Sequence, residues 1–440
     1  MLFGVYGAAS ETMRIRGFWQ GFNGKQNQCA HAGTVWSAEV CDVIGLGAQS
    51  GVTVPQKRRG LAGLKPGAYT ACRAAFVLLA LAALLVNSLP LWAQKFDKPV
   101  LNIDEEVTAF AYAADGRVAF SVRKLYKAKK YDLQRDDIYM MDTGGKRRKL
   151  FSGEKVTLED KPFTYQVESF TWSPNGKVLA IQLFTTSVDL EDGHTEDAKA
   201  LLLVDDQGHD IKPNGKSPLV MNAEQPLWLR DNATLVYMSE EVTPRALFSM
   251  QYLNIGSGPA GKVFEGRTFA DAVRISGSNS AIAIERDRNQ DGPPRLQRLE
   301  LLAQDDKELA TLDGFAGGLS ISPSGTKAAY YIDNEVLEIR DLAAPARVAR
   351  MRIGLGVLQW NAEETRVYLK RTIEKKSADL VSIAVPPLVA HKAGEAILVD
   401  EPTPQFLLHG LTIREFGLSP DGRFLGIVLP GKRNLQVFAF

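Results

Sequence analysis

The chain has 440 residues, and 45% of them are apolar, so it can bury a core and general disorder is excluded. Its 52 Lys and Arg stand against 51 Asp and Glu, which leaves no global field pointing at nucleic acid or a membrane surface. All three cysteines, Cys29, Cys41 and Cys72, precede residue 73, so nothing beyond it can use disulfide or cysteine–metal chemistry.

Residues 1–63 show no sustained helical or strand period and read as a non-translated or disordered leader. Residues 64–93 read as a signal peptide. Lys57, Arg58, Arg59, Lys65 and Arg73 precede the thirteen uncharged apolar residues 74–86, and Pro90 and Ala93 follow. Thirteen residues are few for a membrane span, which takes about 20. An uncleaved anchor is the alternative, and Arg58-Arg59 also suggests a twin-arginine signal, although the pair stands far from the apolar run. Translation is expected to begin near residues 52–64. Cleavage after Ala93 would leave 347 residues with 44 basic and 48 acidic side chains and no cysteine. The expected location is the periplasm or the extracellular space.

Beyond the leader, one pattern recurs: an apolar strand, a polar tight turn, then a second apolar strand. It opens with Phe110 to Phe120 around Asp115-Gly116. The copy at Phe170-Thr171-Trp172-Ser173-Pro174-Asn175-Gly176 is clearer. Trp228 with Asp231-Asn232 keeps the Trp and loses the Gly, and Val273 to Ile284 is degenerate, with its turn placed at Asn279. Ile321-Ser322-Pro323-Ser324-Gly325 is clear again. Trp360 with Glu363-Glu364 lacks the Gly, and Leu418-Ser419-Pro420-Asp421-Gly422 completes the set. The turns fall at 116, 176, 232, 279, 325, 364 and 422, a mean step of 51 residues. Such a period with short strands predicts a β-propeller with one four-stranded sheet per blade. Pro presets φ in these turns and Gly supplies φ > 0. The following strands are apolar at successive positions, as expected for a sheet packed on both faces. Residues 94–440 are thus expected to form an all-β, seven-bladed propeller of four-stranded antiparallel blades. Only three strands remain for the last blade, so Val100-Leu101-Asn102-Ile103 is expected to supply its fourth and close the ring.

The hairpins carrying Trp-Ser-Pro-Asn-Gly, Ile-Ser-Pro-Ser-Gly and Leu-Ser-Pro-Asp-Gly resemble the TolB-type (WD40-like) β-propeller repeat of exported bacterial proteins, over residues 95–440. The motif residues build a turn and carry no chemistry, so the resemblance implies a fold and no activity. Within that family it implies periplasmic scaffolds that bind partner proteins, propellers in front of a serine-peptidase domain, and a few lyases.

No Gly-x-Ser-x-Gly nucleophile elbow occurs in the chain. His194, His209, His391 and His409 have no finger or helix-face spacing, although they can still converge across blades. Asp287-Arg288-Asn289-Gln290-Asp291-Gly292 places oxygen ligands at alternate positions before a Gly, like a calcium loop; Asp287, Asn289 and Asp291 are the candidate ligands of a structural calcium. Arg298 occupies the place of the distal Glu, and a plain polar hairpin loop is the alternative. Two long insertions are expected between second and third strands: a basic one at 124–137 and an acidic one at 185–199. With 285–294 they would emerge on the face opposite the Ser-Pro-x-Gly turns. Long loops carry function more often than tight turns. Lys129, Tyr131, Arg135, Glu191 and His194 are therefore the candidate binding residues. The bland alternative is that the two oppositely charged loops pair with each other. The expected function is non-catalytic binding of a protein or peptide in the cell envelope. An envelope lyase or hydrolase with its site in the central channel is the alternative, and no cofactor other than calcium is expected. Nucleic acid is not an expected partner, and no membrane span is expected in the mature chain.

Overall fold

A computed structural model describes residues 98–440 apart from 129–130, 157–162, 189–193, 216, 242–246, 257, 290–291, 375–376, 392–396, 430–433 and 440. The expected leader and signal segments, 1–63 and 64–93, lie outside the described residues. Apart from two short 3₁₀ turns, Gly153–Lys155 and Pro213–Gly215, every regular element among the described residues is a strand.

The strands group into four-stranded antiparallel units in chain order. Unit 1 is Val107–Tyr112, Val118–Ala128, Tyr131–Met141 and Arg147–Phe151. Unit 2 is Phe163–Trp172, Val178–Val188, Thr195–Asp205 and Leu219–Met221. Unit 3 is Glu224–Trp228, Thr234–Glu241, Leu247–Asn254 and Gly261–Val263; unit 4 is Phe269–Arg274, Ser280–Glu285, Arg295–Glu300 and Asp305–Thr311. These two share one eight-stranded sheet through the single pairing of Phe248 with Phe269. Unit 5 is Ala316–Ile321, Lys327–Ile332, Val336–Asp341 and Arg347–Arg352, and unit 6 is Gly356–Trp360, Arg366–Glu374, Ser377–Ala384 and Gln405–Leu411. Unit 7 is Glu415–Leu418, Phe424–Val428 and Leu435–Ala439. Its fourth strand is Leu101–Ile103 from the other end of the described chain, with Leu101 opposite Val437 and Ile103 opposite Leu435.

The repeat turns work through their side chains as well as their backbone. In Ser173-Pro174-Asn175-Gly176 the Gly N–H returns to the Ser173 carbonyl at 2.8 Å, and Gly176 has φ 65°. The serine side chain contributes too. Ser173 Oγ accepts the N–H of Val178 at 2.9 Å, as Ser322 Oγ does for Lys327 and Ser419 Oγ for Phe424. Asn361 replaces the serine in unit 6, and its Oδ1 accepts the N–H of Arg366. The degenerate copy differs from expectation. Its left-handed residue is Gly277 (φ 68°), two places before Asn279, because a turn closed from Ser278 to Ile275 puts φ > 0 at its third residue, where only Gly is unstrained.

The second strands of units 1 to 5 and 7 are buried on both faces, and alternate residues feed different cores. Leu179, Ile181 and Leu183 pack with unit 1, whereas Ala180 packs with unit 3. Ala281 and Ala283 face unit 3, and Ile282 and Ile284 face unit 5. Further cores join units 5 and 6 through Tyr331 and Trp360, and units 6 and 7 through Leu380 and Phe416. A last core joins unit 7 to unit 1, with Val428, Leu435 and Val437 against Val107, Phe110 and Phe120. Burying such side chains stabilises by roughly 1.5–3 kcal/mol each, so the interfaces between units carry the fold.

Candidate functional site

The second and third strands of units 1 and 2 are eleven residues long, against six in units 4 and 5. The segments expected as basic and acidic loops are therefore mostly strand. At ~3.3 Å per residue, five extra residues lengthen a hairpin by roughly 16 Å. Asp137 braces the base of the first hairpin: it accepts the Gly153 N–H at 2.9 Å and Lys149 Nζ at 2.6 Å, and the Tyr126 hydroxyl closes on it. Burial pushes its pKa up, but these partners outweigh burial and hold the carboxyl below its usual range.

The candidate residues fare differently. Lys129 and Glu191 lie outside the described residues, and Tyr131 is described only as the first residue of its strand. His194 is exposed, beside the start of the third strand of unit 2. Arg135 is buried, which the sequence did not anticipate. Its Nε donates to the Phe163 carbonyl at 3.1 Å, its Nη1 to the Val156 carbonyl at 3.0 Å, and its guanidinium lies 4.4 Å over the Phe163 ring. It holds the first hairpin to unit 2 and presents no charge to a partner. Among the described residues, the exposed charges of the hairpins are Lys127, Asp132, Glu196 and Asp197. Where bonds form they stay within a unit or its flank: Asp197 accepts Thr186 Oγ1 at 2.7 Å, and Lys124 meets Glu105 at 3.3 Å. Among the described residues no ion pair joins one hairpin to the other.

In the 286–294 loop, Asp287 Oδ1 accepts the N–H of Asn289 at 3.1 Å, and Arg288 reaches Glu241 at 2.5 Å. Asp291 lies outside the described residues. Among the described residues no group of three or more His, Cys, Asp or Glu side chains is arranged to hold a metal ion. A depression of ≈ 200 Å³ beside this loop is lined by Glu241, Met250, Lys262, Phe264 and Arg288.

The first strands bind polar residues that sequence reasoning missed. Those of units 1 to 5 each contain a bulge, which frees a backbone amide from its own ladder. A side chain from the preceding unit then takes up such an amide. Asp136 accepts Val167 N–H at 2.7 Å, Gln182 accepts Gln225 N–H at 3.0 Å, and Asp271 accepts Leu319 N–H at 2.8 Å. Gln359 does the same for Leu418 N–H in unit 7 at 2.9 Å. Beside Gln182, Lys199 pairs with Glu224 at 2.6 Å and lies 3.9 Å from Glu168. Burial draws the Lys199 pKa down, but the two carboxylates outweigh it and hold the ammonium above its usual range; burial pushes Glu224 up against the pull of Lys199. A signal existed, since Glu168 and Glu224 each stand four residues before the Trp that closes their strand. Histidines do not gather there: His209 pairs with Asp205 beside unit 2, and His409 pairs with Asp379 in unit 6.

No family model and no curated protein matches the chain. Among solved structures, a chain of "Crystal Structure of Mitotic Checkpoint Complex" is similar at TM-score 0.45 and 14% identity, over 79% of this chain and 93% of that chain.

Proposed function

We propose that units 1 to 7 are the blades of a seven-bladed, TolB-type (WD40-like) propeller, closed where Leu101–Ile103 joins unit 7, and that the protein is a non-catalytic scaffold for a protein or peptide partner. In this reading residues 64–93 export the chain, and the partner resides in the cell envelope. The observation that carries the binding reading is the pair of hairpins with eleven-residue strands, which project exposed charge from neighbouring units. The polar side chains that reach the first strands support binding over catalysis, because Asp136, Gln182, Asp271 and Gln359 are already engaged in tying one unit to the next.

Affinity capture from envelope extract tests the reading. The natural chain should retain a partner that the K127A/D132A/E196A/D197A variant loses at unchanged thermal stability. Equal capture by both would remove the hairpin face from the account. Sequencing the N-terminus of the exported protein tests the leader: a mature chain starting before residue 60 contradicts it. Asp287, Asn289 and Asp291 remain proposed ligands of a structural calcium, which a calcium titration of the melting temperature decides.

A further inference from the structure

The extended part of the unit 2 sheet is covered on one side and bare on the other. Alternate residues of a strand face opposite ways. Phe163, Tyr165, Val167, Leu183, Thr185 and Ser187 face unit 1 and are buried. The first hairpin covers them: Tyr165 donates to the Asp136 carbonyl at 2.8 Å, and Arg135 to that of Phe163. The other side carries Thr164, Gln166, Phe184, Thr186, Val188 and Asp197, in register across three strands, and none of these is buried. Unit 3 lies on that side, since Ala180, Leu201 and Leu203 of the same strands pack with it. It supplies no counterpart of 163–167, because its first strand starts at Glu224, the match of Glu168. We propose that this uncovered face of unit 2 is the docking surface of the hairpin reading, and that it takes an extended segment of a protein partner bearing lysine or arginine. The inference rests on that reading and names the chemistry of the partner.

Charge defines the occupant. At the foot of the face Lys199 pairs with Glu224 and lies near Glu168, and Glu240 acts on both Lys199 and Glu224. Asp197 stands two residues from Lys199 in the same strand, on the same side; its printed partner is the neutral Thr186 hydroxyl. Four carboxylates thus stand against one ammonium. Burial pushes the Glu224 pKa up, and Glu168 and Glu240 add to the rise against the pull of Lys199. A cation brought by a partner relieves that repulsion. Gln225, whose N–H is held by Gln182, adds a buried Oε1 that accepts no hydrogen bond among the described residues, which suits an incoming donor. Phe184 and Val188 supply apolar area among these acids, so basic and apolar residues in alternation match the face. Complementary charge of this kind selects a partner and steers its approach.

The probe is a labelled synthetic peptide, Lys-Val-Lys-Val-Lys-Val, followed by fluorescence anisotropy on the full chain. It should bind the natural chain, and its analogue with Glu in place of Lys should not. Gln166→Lys sets a cation on the face and Asp197→Asn removes an anion; each should weaken binding at least tenfold at unchanged melting temperature. Asp305→Asn, which takes one negative charge from the outer strand of unit 4, should leave binding unchanged. Absence of binding, equal binding of the Glu peptide, full affinity in either face variant, or an equal loss with Asp305→Asn overturns the proposal. Capture from envelope extract separates this inference from the hairpin reading. Gln166→Lys should lose the partner that the natural chain retains. A partner kept by Gln166→Lys but lost by K127A/D132A/E196A/D197A removes the face and leaves the hairpins. A partner kept by both variants removes the hairpin reading itself.

Discussion

The carboxylate of Glu364 accepts the backbone N–H of Ser324 at 2.5 Å, so a side chain in the unit 6 turn serves an amide in the unit 5 turn. The relationship recurs: Asn232 Oδ1 accepts Asn175 N–H, and Asn279 Oδ1 accepts Arg230 N–H, both at 2.8 Å. It explains which repeat copies lack glycine. Glu364 and Asn232 occupy the left-handed position at φ 56° and 60°, where most side chains are strained. Their bonds to the preceding turn compensate. At Gly325 the same position is crowded by the preceding turn: a Cβ there would run into the Ile275 side chain.

Glu364→Ala should destabilise the chain by about 1–2 kcal/mol, since it removes a charged acceptor and leaves the left-handed strain. The effect should depend on pH. Partial burial raises the Glu364 pKa, but Ser324 and Lys327 outweigh burial and hold it at about 2. The folded value lies below the unfolded one of about 4.3, so the contribution is present above that pH and fades as pH falls toward 2. Chemical denaturation at pH 7 and pH 2.5 checks this: the difference between natural chain and variant should shrink at the lower pH.

Asp271 should act with the opposite sign. Burial pushes its carboxyl up to about 6 despite the amides of Leu319, Ala272 and Gly318. A folded pKa above the unfolded ~3.9 means that ionisation opposes folding, so this contribution to stability falls as pH rises from about 4 to 6. Asp271→Asn keeps an oxygen for the Leu319 amide and carries no charge. It should stabilise the chain by roughly 1–2 kcal/mol at pH 8 and by little at pH 4, read from denaturant midpoints. A loss of stability at pH 8 would contradict the account.

Units 7 and 1 meet without room for a methyl group at Gly426, where a Cβ would lie 2.5 Å from the Phe110 ring. Gly426→Ala should cost about 1–3 kcal/mol through overpacking. Adding Phe110→Leu should recover part of that loss, so the double mutant should be less destabilised than the sum of the single changes. Simple additivity in thermal melts would show that the two residues do not press on each other.

Deleting residues 98–103 should lower the unfolding midpoint of the whole array. Leu101 and Ile103 pack into the core shared by units 7 and 1, and losing the strand exposes the edge Leu435–Ala439. A destabilisation of about 2–4 kcal/mol is expected from the apolar side chains alone. An unchanged melt would remove the closure by this strand.

The hairpin and its turn were legible in the sequence because both are local. Ser173, Pro174 and Gly176 act within a few residues of one another, and the apolar run 178–181 shows its two-sided burial by composition alone. The last strand of unit 7 was also legible, because a missing fourth strand leaves an edge that the Val100–Ile103 segment can fill. Arg135 was not: its surroundings come from Phe163 and Val156, which reach it only once unit 2 packs on unit 1. Nor were the amide-capping roles of Gln182 and Asp271, since a bulge that frees an N–H is a property of two paired strands, nor that of Gln359, which meets Leu418 only where units 6 and 7 pack. Short-range patterning therefore determined the repeating unit, because turn chemistry and strand period depend on near neighbours. Tertiary structure decided which charges are bound between units and which face solvent, because burial and partner distance arise only when separate sheets meet.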